Sequence, residues 1–324
     1  MDKLGSTKTL YLLMKKFLLY ATGILTAFSI TPAFAGLLIY EPFDYSPGAT
    51  IIGQTDIYSP GSPTWLRAGT ATTPEHQVIS PSLTMPSGLP PSIGNAGETI
   101  GGQAGGDWTE YARMNLPMEY GASSSLYYSL LLNVPSTTGL TIANSNANAN
   151  NDGIIAFNNS MGAQSTRPNT WAGELVIRLG ATTGTFDLGI RASTTAANTT
   201  YWSADLTPGS TYFVVVGWAE SATPGTGGLS SLWINPNSST YGASIAPAAD
   251  GSTVGTFSAT AANDHTDSLI LGAGIASGTT PSQTWVDEIR VGDTWADVVP
   301  EPSTLTLAGL GALFMVSCYR ARRR

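Results

Sequence analysis

The chain has 324 residues, 42% of them hydrophobic and 11% charged, with 14 Lys and Arg against 22 Asp and Glu for a net charge of −8. That length allows one to three domains. The single cysteine, Cys318, excludes a disulfide framework and any thiol chemistry in the residues before it.

At the start, Lys15 and Lys16 precede an apolar run over 17–30, and Ala33-Phe34-Ala35 follows with small residues at its first and third places. Charge, apolar stretch and small-x-small predict a secretory signal over 1–35, cut by signal peptidase after Ala35. The run is short for a membrane span; an uncleaved N-terminal anchor is the alternative. Met14 is an alternative start, since 1–13 adds nothing the signal needs.

The body, 36–299, is long enough for a full hydrophobic core. Lys3, Lys8, Lys15 and Lys16, the only lysines, lie before the cut. The body keeps Arg67, Arg113, Arg167, Arg178, Arg191 and Arg290 against 20 carboxylates, a net charge of −14. Such a surface repels phosphate backbones, which excludes nucleic acid as a partner and disfavours acidic polysaccharides unless a cation bridges.

No helical period of useful length runs through the body. Short apolar or alternating runs recur instead at 37–40, 108–114, 127–134, 154–158, 174–179, 186–191, 211–219, 231–234, 268–275 and 284–291. Turn residues bound them, which predicts an all-β fold, a sandwich or jelly roll. Residues 70–106 are rich in Gly, Pro and Ser and read as long surface loops, with an edge strand near 77–83. Phe213 to Trp218 is apolar on both faces, as a strand covered on both sides would be. Over 285–291, alternation places Trp285, Asp287, Ile289 and Val291 on one face and Val286, Glu288 and Arg290 on the other.

The C-terminus carries Val299-Pro300-Glu301-Pro302-Ser303, an apolar run over 304–319, and Arg320, Arg322, Arg323 and Arg324. As a helix, that run measures about 24 Å against a bilayer core of about 30 Å, so it just spans. The arginines stay cytoplasmic and the body faces outward. These parts, in this order, resemble the PEP-CTERM sorting tail of Gram-negative bacteria, here over 300–324. The resemblance implies that exosortase processes the chain near Pro300 to Pro302. It further implies an inner-membrane-anchored precursor delivered to the cell surface or extracellular matrix, often where exopolysaccharide is made.

A second resemblance covers the body. Leu38-Ile39-Tyr40-Glu41-Pro42-Phe43-Asp44-Tyr45, Tyr128-Ser129-Leu130-Leu131, Trp233-Ile234-Asn235-Pro236 and Val286-Asp287-Glu288-Ile289-Arg290-Val291 stand in order along it. Together they resemble concanavalin A-like (laminin G-like) jelly-roll domains. That family implies a two-sheet antiparallel jelly-roll sandwich with one concave sheet, and no single activity, since lectins, glucanases and inert modules share the shape.

Chemistry is sparse. His76 and His265 sit among polar residues and read as surface-loop histidines, too few for a histidine-based zinc centre without help. No Gly-x-Ser-x-Gly elbow occurs, nor the Glu-x-Asp-x-x-Glu string of the glucanases. Asp287 and Glu288 are adjacent on a strand, so they point apart. Asp287 is expected to be a structural carboxylate, bonded to backbone N–H groups or an arginine, while Glu288 and Arg290 pair on the outer face. Calcium, the one possible cofactor, has candidates in Asp152, at the end of an asparagine-rich stretch over 144–153, and in Asp264 and Asp267 beside Asn263. A polar loop closing in an Asp-Gly turn is the plainer reading of the first. Eight tryptophans could stack on sugars, though core packing is the expectation for any one of them.

Taken together, an exported, exosortase-processed protein is expected, with a binding or structural role, no enzymatic activity, and neutral exopolysaccharide as a possible ligand. A glycoside hydrolase or polysaccharide lyase on the same fold is the alternative.

Overall fold

The computed structural model describes residues 36–301, apart from 70–74, 101–109, 141–151, 166–167, 169, 194–199, 224, 257–263 and 273–281. The signal expected over 1–35, with Ala33 and Ala35, lies outside the described residues. So do Pro302, Ser303, the apolar run over 304–319 and the arginine cluster. Among the described residues no helix is long and apolar enough to cross a membrane.

Fifteen strands are described: β1 (Leu37–Glu41), β2 (Leu66–Arg67), β3 (Gln77–Ile79), β4 (Ala96–Ile100), β5 (Ala112–Tyr120), β6 (Ser125–Asn133), β7 (Asp152–Asn158), β8 (Ala172–Leu179), β9 (Phe186–Ser193), β10 (Thr200–Trp202), β11 (Thr211–Ala219), β12 (Gly228–Ile234), β13 (Gly251–Gly255), β14 (Thr266–Leu271) and β15 (Gln283–Gly292). A short helix, α1 (Trp295–Val298), follows. The strands form two antiparallel sheets. The eight-stranded sheet runs β13-β12-β11-β6-β15-β4-β3, with β1 also on β15. The seven-stranded sheet runs β10-β9-β8-β7-β14-β5-β2. The fold is an all-β sandwich, as the punctuated apolar runs predict.

Each of the ten expected runs overlaps a strand. The edge strand expected near 77 is β3, at the end of its sheet. The apolar run in β11 is covered on both sides. Val214, Val216 and Trp218 join the main core between the sheets, with Leu175, Ile177, Leu188 and Ile190 from the other sheet. Phe213 and Val215 enter a second core on the far side, completed by Leu83, Leu89, Trp233, Trp295, Val298 and Val299. Each of these side chains contributes about 1.5–3 kcal/mol by leaving water. The 80–95 segment and α1 therefore roof the eight-stranded sheet.

Alternation fails in β15. The register slips between Asp287 and Arg290, and Glu288 has φ 52°. Such a bulge shifts every later side chain to the opposite face. Val286, Ile289 and Val291 thus share the main core, while Asp287 points outward with Trp285. The shared face expected for Asp287, Ile289 and Val291 is corrected accordingly.

Candidate functional site

With the eight-stranded sheet roofed, the outer face of the other sheet is the polar sheet surface among the described residues. It bears one small apolar cluster, Ala68, Tyr111, Ala156, Trp171 and Ile270. Across β8 and β9 the register aligns Glu174 with Arg191, Val176 with Gly189, and Arg178 with Asp187. The intervening Leu175, Ile177, Leu188 and Ile190 point into the core, so these six point out.

The charges pair crosswise. Arg191 Nε donates to Glu174 Oε2 at 2.6 Å, and Arg178 donates to Asp187 Oδ2 through Nε and Nη2, each at 2.8 Å. Desolvation raises the Asp187 carboxyl and the Arg178 guanidinium draws it back down. Beside these rows, β10 pairs Trp202 with Gly189. A side-chain carbon on Gly189 would lie 2.6 Å from Trp202 Cε3, so the indole can lean over the strand only because that position is glycine. Arg178 Cζ stacks 4.2 Å from the centre of the same ring. Trp202 stays partly exposed, whereas Trp65, Trp171, Trp218, Trp233 and Trp295 are buried.

Farther along the sheet, Arg113 is fully buried. It donates to Asn158 Oδ1 at 2.8 Å, Gly162 O at 2.9 Å and Gln164 Oε1 at 3.1 Å. All three acceptors are neutral. Desolvation pulls its guanidinium down to about 10 against the opposing pull of Asp267. Where β14 begins, His265 Nε2 lies 3.0 Å from Asp267 Oδ2. With exposed Glu119 these three place one ligand atom each within 4.8 Å of one another. One imidazole and two carboxylates suit a transition-metal ion better than calcium, which takes six to eight oxygens.

The calcium candidates are not gathered into one cluster of this kind. Asp267 belongs to the group just described. Asp264 is buried, accepts the Gly225 N–H at 2.6 Å and acts on buried Glu220. Asp152 opens β7, while Asn263 and 144–151 lie outside the described residues.

His76 is not on a surface loop. It is completely buried, and desolvation lowers it to about 4. Glu288 accepts from Tyr40 Oη at 2.9 Å, Ile93 N at 2.9 Å and Arg290 Nη2 at 3.2 Å. That Glu288–Arg290 pair is buried rather than on an exposed face, because the bulge draws both side chains under neighbouring segments. Asp287 is fully buried and accepts from Ser82 Oγ at 2.5 Å, Leu83 N at 2.8 Å and Glu288 N at 2.7 Å.

A separate cleft of about 390 Å³ opens beside the first residues of β11 and β15, where Trp285 meets Ser80, Ser82, Thr84 and Thr211. No charged side chain lines it. In the sorting motif, Val299 is buried, Gly242 N donates to its carbonyl at 2.7 Å, and Glu301 packs over Gly242. The body thus holds its C-terminus up to the first residues of the motif.

Comparison with known proteins adds two findings. Residues 298–324 match the PEP-CTERM protein-sorting motif. That motif implies an exported protein, membrane-associated and then processed by exosortase. No curated protein matches the chain. Among solved structures, the chain is similar to an endo-β-1,4-glucuronan lyase from the fungus Trichoderma reesei, at 13% identity over 82% of this chain and 98% of that one, with a TM-score of 0.41. It is also similar to alginate lyase Aly36B in complex with alginate trisaccharide, at 10% identity over 80% and 98%, with a TM-score of 0.46. The binding domain of botulinum neurotoxin serotype D matches at 10% identity over 80% and 49%, with a TM-score of 0.41. At such identities the likeness concerns the sandwich alone and transfers no residue roles. The expectation that this chain is not an enzyme is not upheld by these comparisons: two of the similar structures are polysaccharide lyases, matched over 98% of their length. The chain carries a PEP-CTERM sorting motif on an all-β sandwich.

Proposed function

We propose that the exported body engages a polysaccharide on the outer face of the seven-stranded sheet, at the cell surface or in the extracellular matrix of a Gram-negative bacterium. One observation carries the reading: a partly exposed indole, Trp202, beside two rows of paired arginines and carboxylates. Sugars are held by aromatic contact together with fixed hydrogen-bond donors and acceptors, and this face supplies all three. Arg178 and Arg191 are already matched by Asp187 and Glu174, and the body is strongly acidic, which favours a neutral chain over a uronate chain. The test is binding of the exported protein to neutral glycans and to polyuronates on one array. Trp202→Ala should weaken neutral-glycan binding about tenfold, the scale of one lost aromatic contact, while Trp285→Ala leaves it unchanged. Binding to no neutral glycan would remove the proposal.

A catalytic reading has its own observation. His265 lies 3.0 Å from Asp267, an imidazole oriented by a carboxylate, which is the arrangement a general base needs. Incubating the protein with neutral glycans and polyuronates and measuring new reducing ends tests it. His265→Ala should abolish turnover; cleavage that persists in that variant would contradict this role.

A further inference from the structure

Gly36 stands one residue ahead of β1, whose Leu37 pairs with Gly292 at the end of β15. Past Gly292 the chain turns through Asp293 and Thr294 into α1, with Asp297 in its first turn. Both acids converge on Gly36. A side-chain carbon there would fall 2.7 Å from Asp293 Oδ1 and closer still to Asp297 Oδ2. At Gly292 such a carbon would likewise run into Asp297. Asp297 also accepts from Thr294 N at 3.0 Å and from the Thr294 hydroxyl. Among the described residues neither acid has an ion pair, and Asp293 in turn helps raise the Tyr120 hydroxyl, after desolvation. Two carboxyl groups are held together around one backbone position, and that of Asp293 is pushed up, by desolvation first and then by its hydrogen bond and charge contact with Asp297.

The position they surround is the first residue after Ala33-Phe34-Ala35. We propose that Asp293 and Asp297 form a receptor for a primary ammonium, the α-amino group of Gly36, which exists only after the signal is removed. Hydrolysis of the Ala35–Gly36 peptide bond leaves the carboxylate on Ala35 and the amine on Gly36, where it takes up a proton at neutral pH. Before the cut, the same nitrogen is a neutral amide. Nitrogen and a side-chain carbon on one Cα lie about 2.5 Å apart, so the ammonium would sit within about 5 Å of both oxygens before any adjustment. Processing thus supplies the cation that this acid pair otherwise lacks, at the point where the first strand enters the sandwich.

The pairing has a pH signature. An ammonium that gains carboxylate partners has its pKa raised above the ordinary value of about 8. Its contribution to stability is complete below that value and is lost as pH rises through the raised one.

The sequence makes the test clean. All four lysines precede the cut, so the α-amine of the processed protein is its one primary amine. The full-length chain is expressed in an exporting host, the exported protein is purified, and its N-terminus is read by mass spectrometry. The amine is then acetylated over a pH series. The expected results are an N-terminus at Gly36, a pKa above about 8, and labelling below pH 8 some three- to fivefold slower than in Asp293→Asn/Asp297→Asn, the range of partly exposed ion pairs. An N-terminus elsewhere overturns the proposal. So does an ordinary amine pKa in the unaltered protein, a result that does not depend on the variant folding.

Discussion

Replacing Asp287 by alanine should destabilise the body by about 3 kcal/mol or more. The carboxyl is fully buried and receives Leu83 N–H, Glu288 N–H and the Ser82 hydroxyl. Removing the acceptor strands two backbone donors, each at a cost of about 1–3 kcal/mol. The loss extends beyond the site, because those bonds tie the 80–95 segment to β15. Leu83 and Leu89 of that segment cover Leu131, Phe213 and Val215 on the eight-stranded sheet. For a body of this size the melting temperature should fall by roughly 6–12 °C. Asp287→Asn, which keeps one acceptor oxygen, should lose about half as much. Thermal unfolding of the three proteins checks this; a change within about 0.5 kcal/mol for the alanine variant would place Asp287 among ordinary surface positions.

Stability should peak on the acid side of neutrality, unlike that of proteins rich in exposed ion pairs. Burial raises Glu41 and Glu220 to about 7 and Asp287 to about 8. Their unfolded values lie near 4, so between about pH 4 and pH 7–8 the native state binds more protons than the unfolded chain. Stability therefore falls as pH rises through that window. His76 works in the other direction. Its folded pKa, about 4, is below the unfolded 6.5, so stability is lost as pH drops from 6.5 towards 4. Three acids outweigh one histidine, so His76 only softens the slope below pH 6.5, and the melting temperature should be lower by on the order of 5–10 °C at pH 8 than at pH 5. Glu41→Gln should flatten the alkaline limb, since Glu41 is fully buried beneath Phe43 N, Tyr45 Oη and Trp65 Nε1. A melting temperature that climbs steadily from pH 5 to 8 would contradict the account.

Much of the sandwich can be read from the chain, because strands announce themselves by local pattern. β11 is apolar from Phe213 to Trp218 because both of its faces are covered there, and those residues say so without any partner being known. β4 says nothing of the kind. Its Gly97 lies under Phe43 and Ile51, so the bulk that packs the position belongs to a segment some fifty residues earlier. Alternation in β15 misplaces Asp287 because one bulge at Glu288 reverses the phase, and no residue type there signals it. Glu75-His76-Gln77 reads as solvent-exposed from its polarity, yet His76 is enclosed between β3 and the segment carrying Glu110, which accepts its backbone N–H at 2.7 Å.

The candidate site was less legible than the fold. Glu174, Arg178, Asp187 and Arg191 are isolated charges on two strands, and only the pairing register makes two ion pairs of them. Trp202 sits in a three-residue strand too short to show a period, and its placement depends on Gly189 across the ladder. Asp267 stood out by its acidic neighbourhood, but its companions Glu119 and His265 come together through the fold. The C-terminal end of the chain is the opposite case. Its sorting motif is a run of neighbouring residues that needs no fold to be recognised, so it was legible in full.

Hydrogen exchange of the exported protein with and without a neutral polysaccharide tests the central claim most directly. The polar face should respond: backbone amides of β8, β9 and β10, over 172–179, 186–193 and 200–202, become protected when the sugar is added. Protection confined to the Trp285 cleft, or to the roof over the eight-stranded sheet, would contradict it.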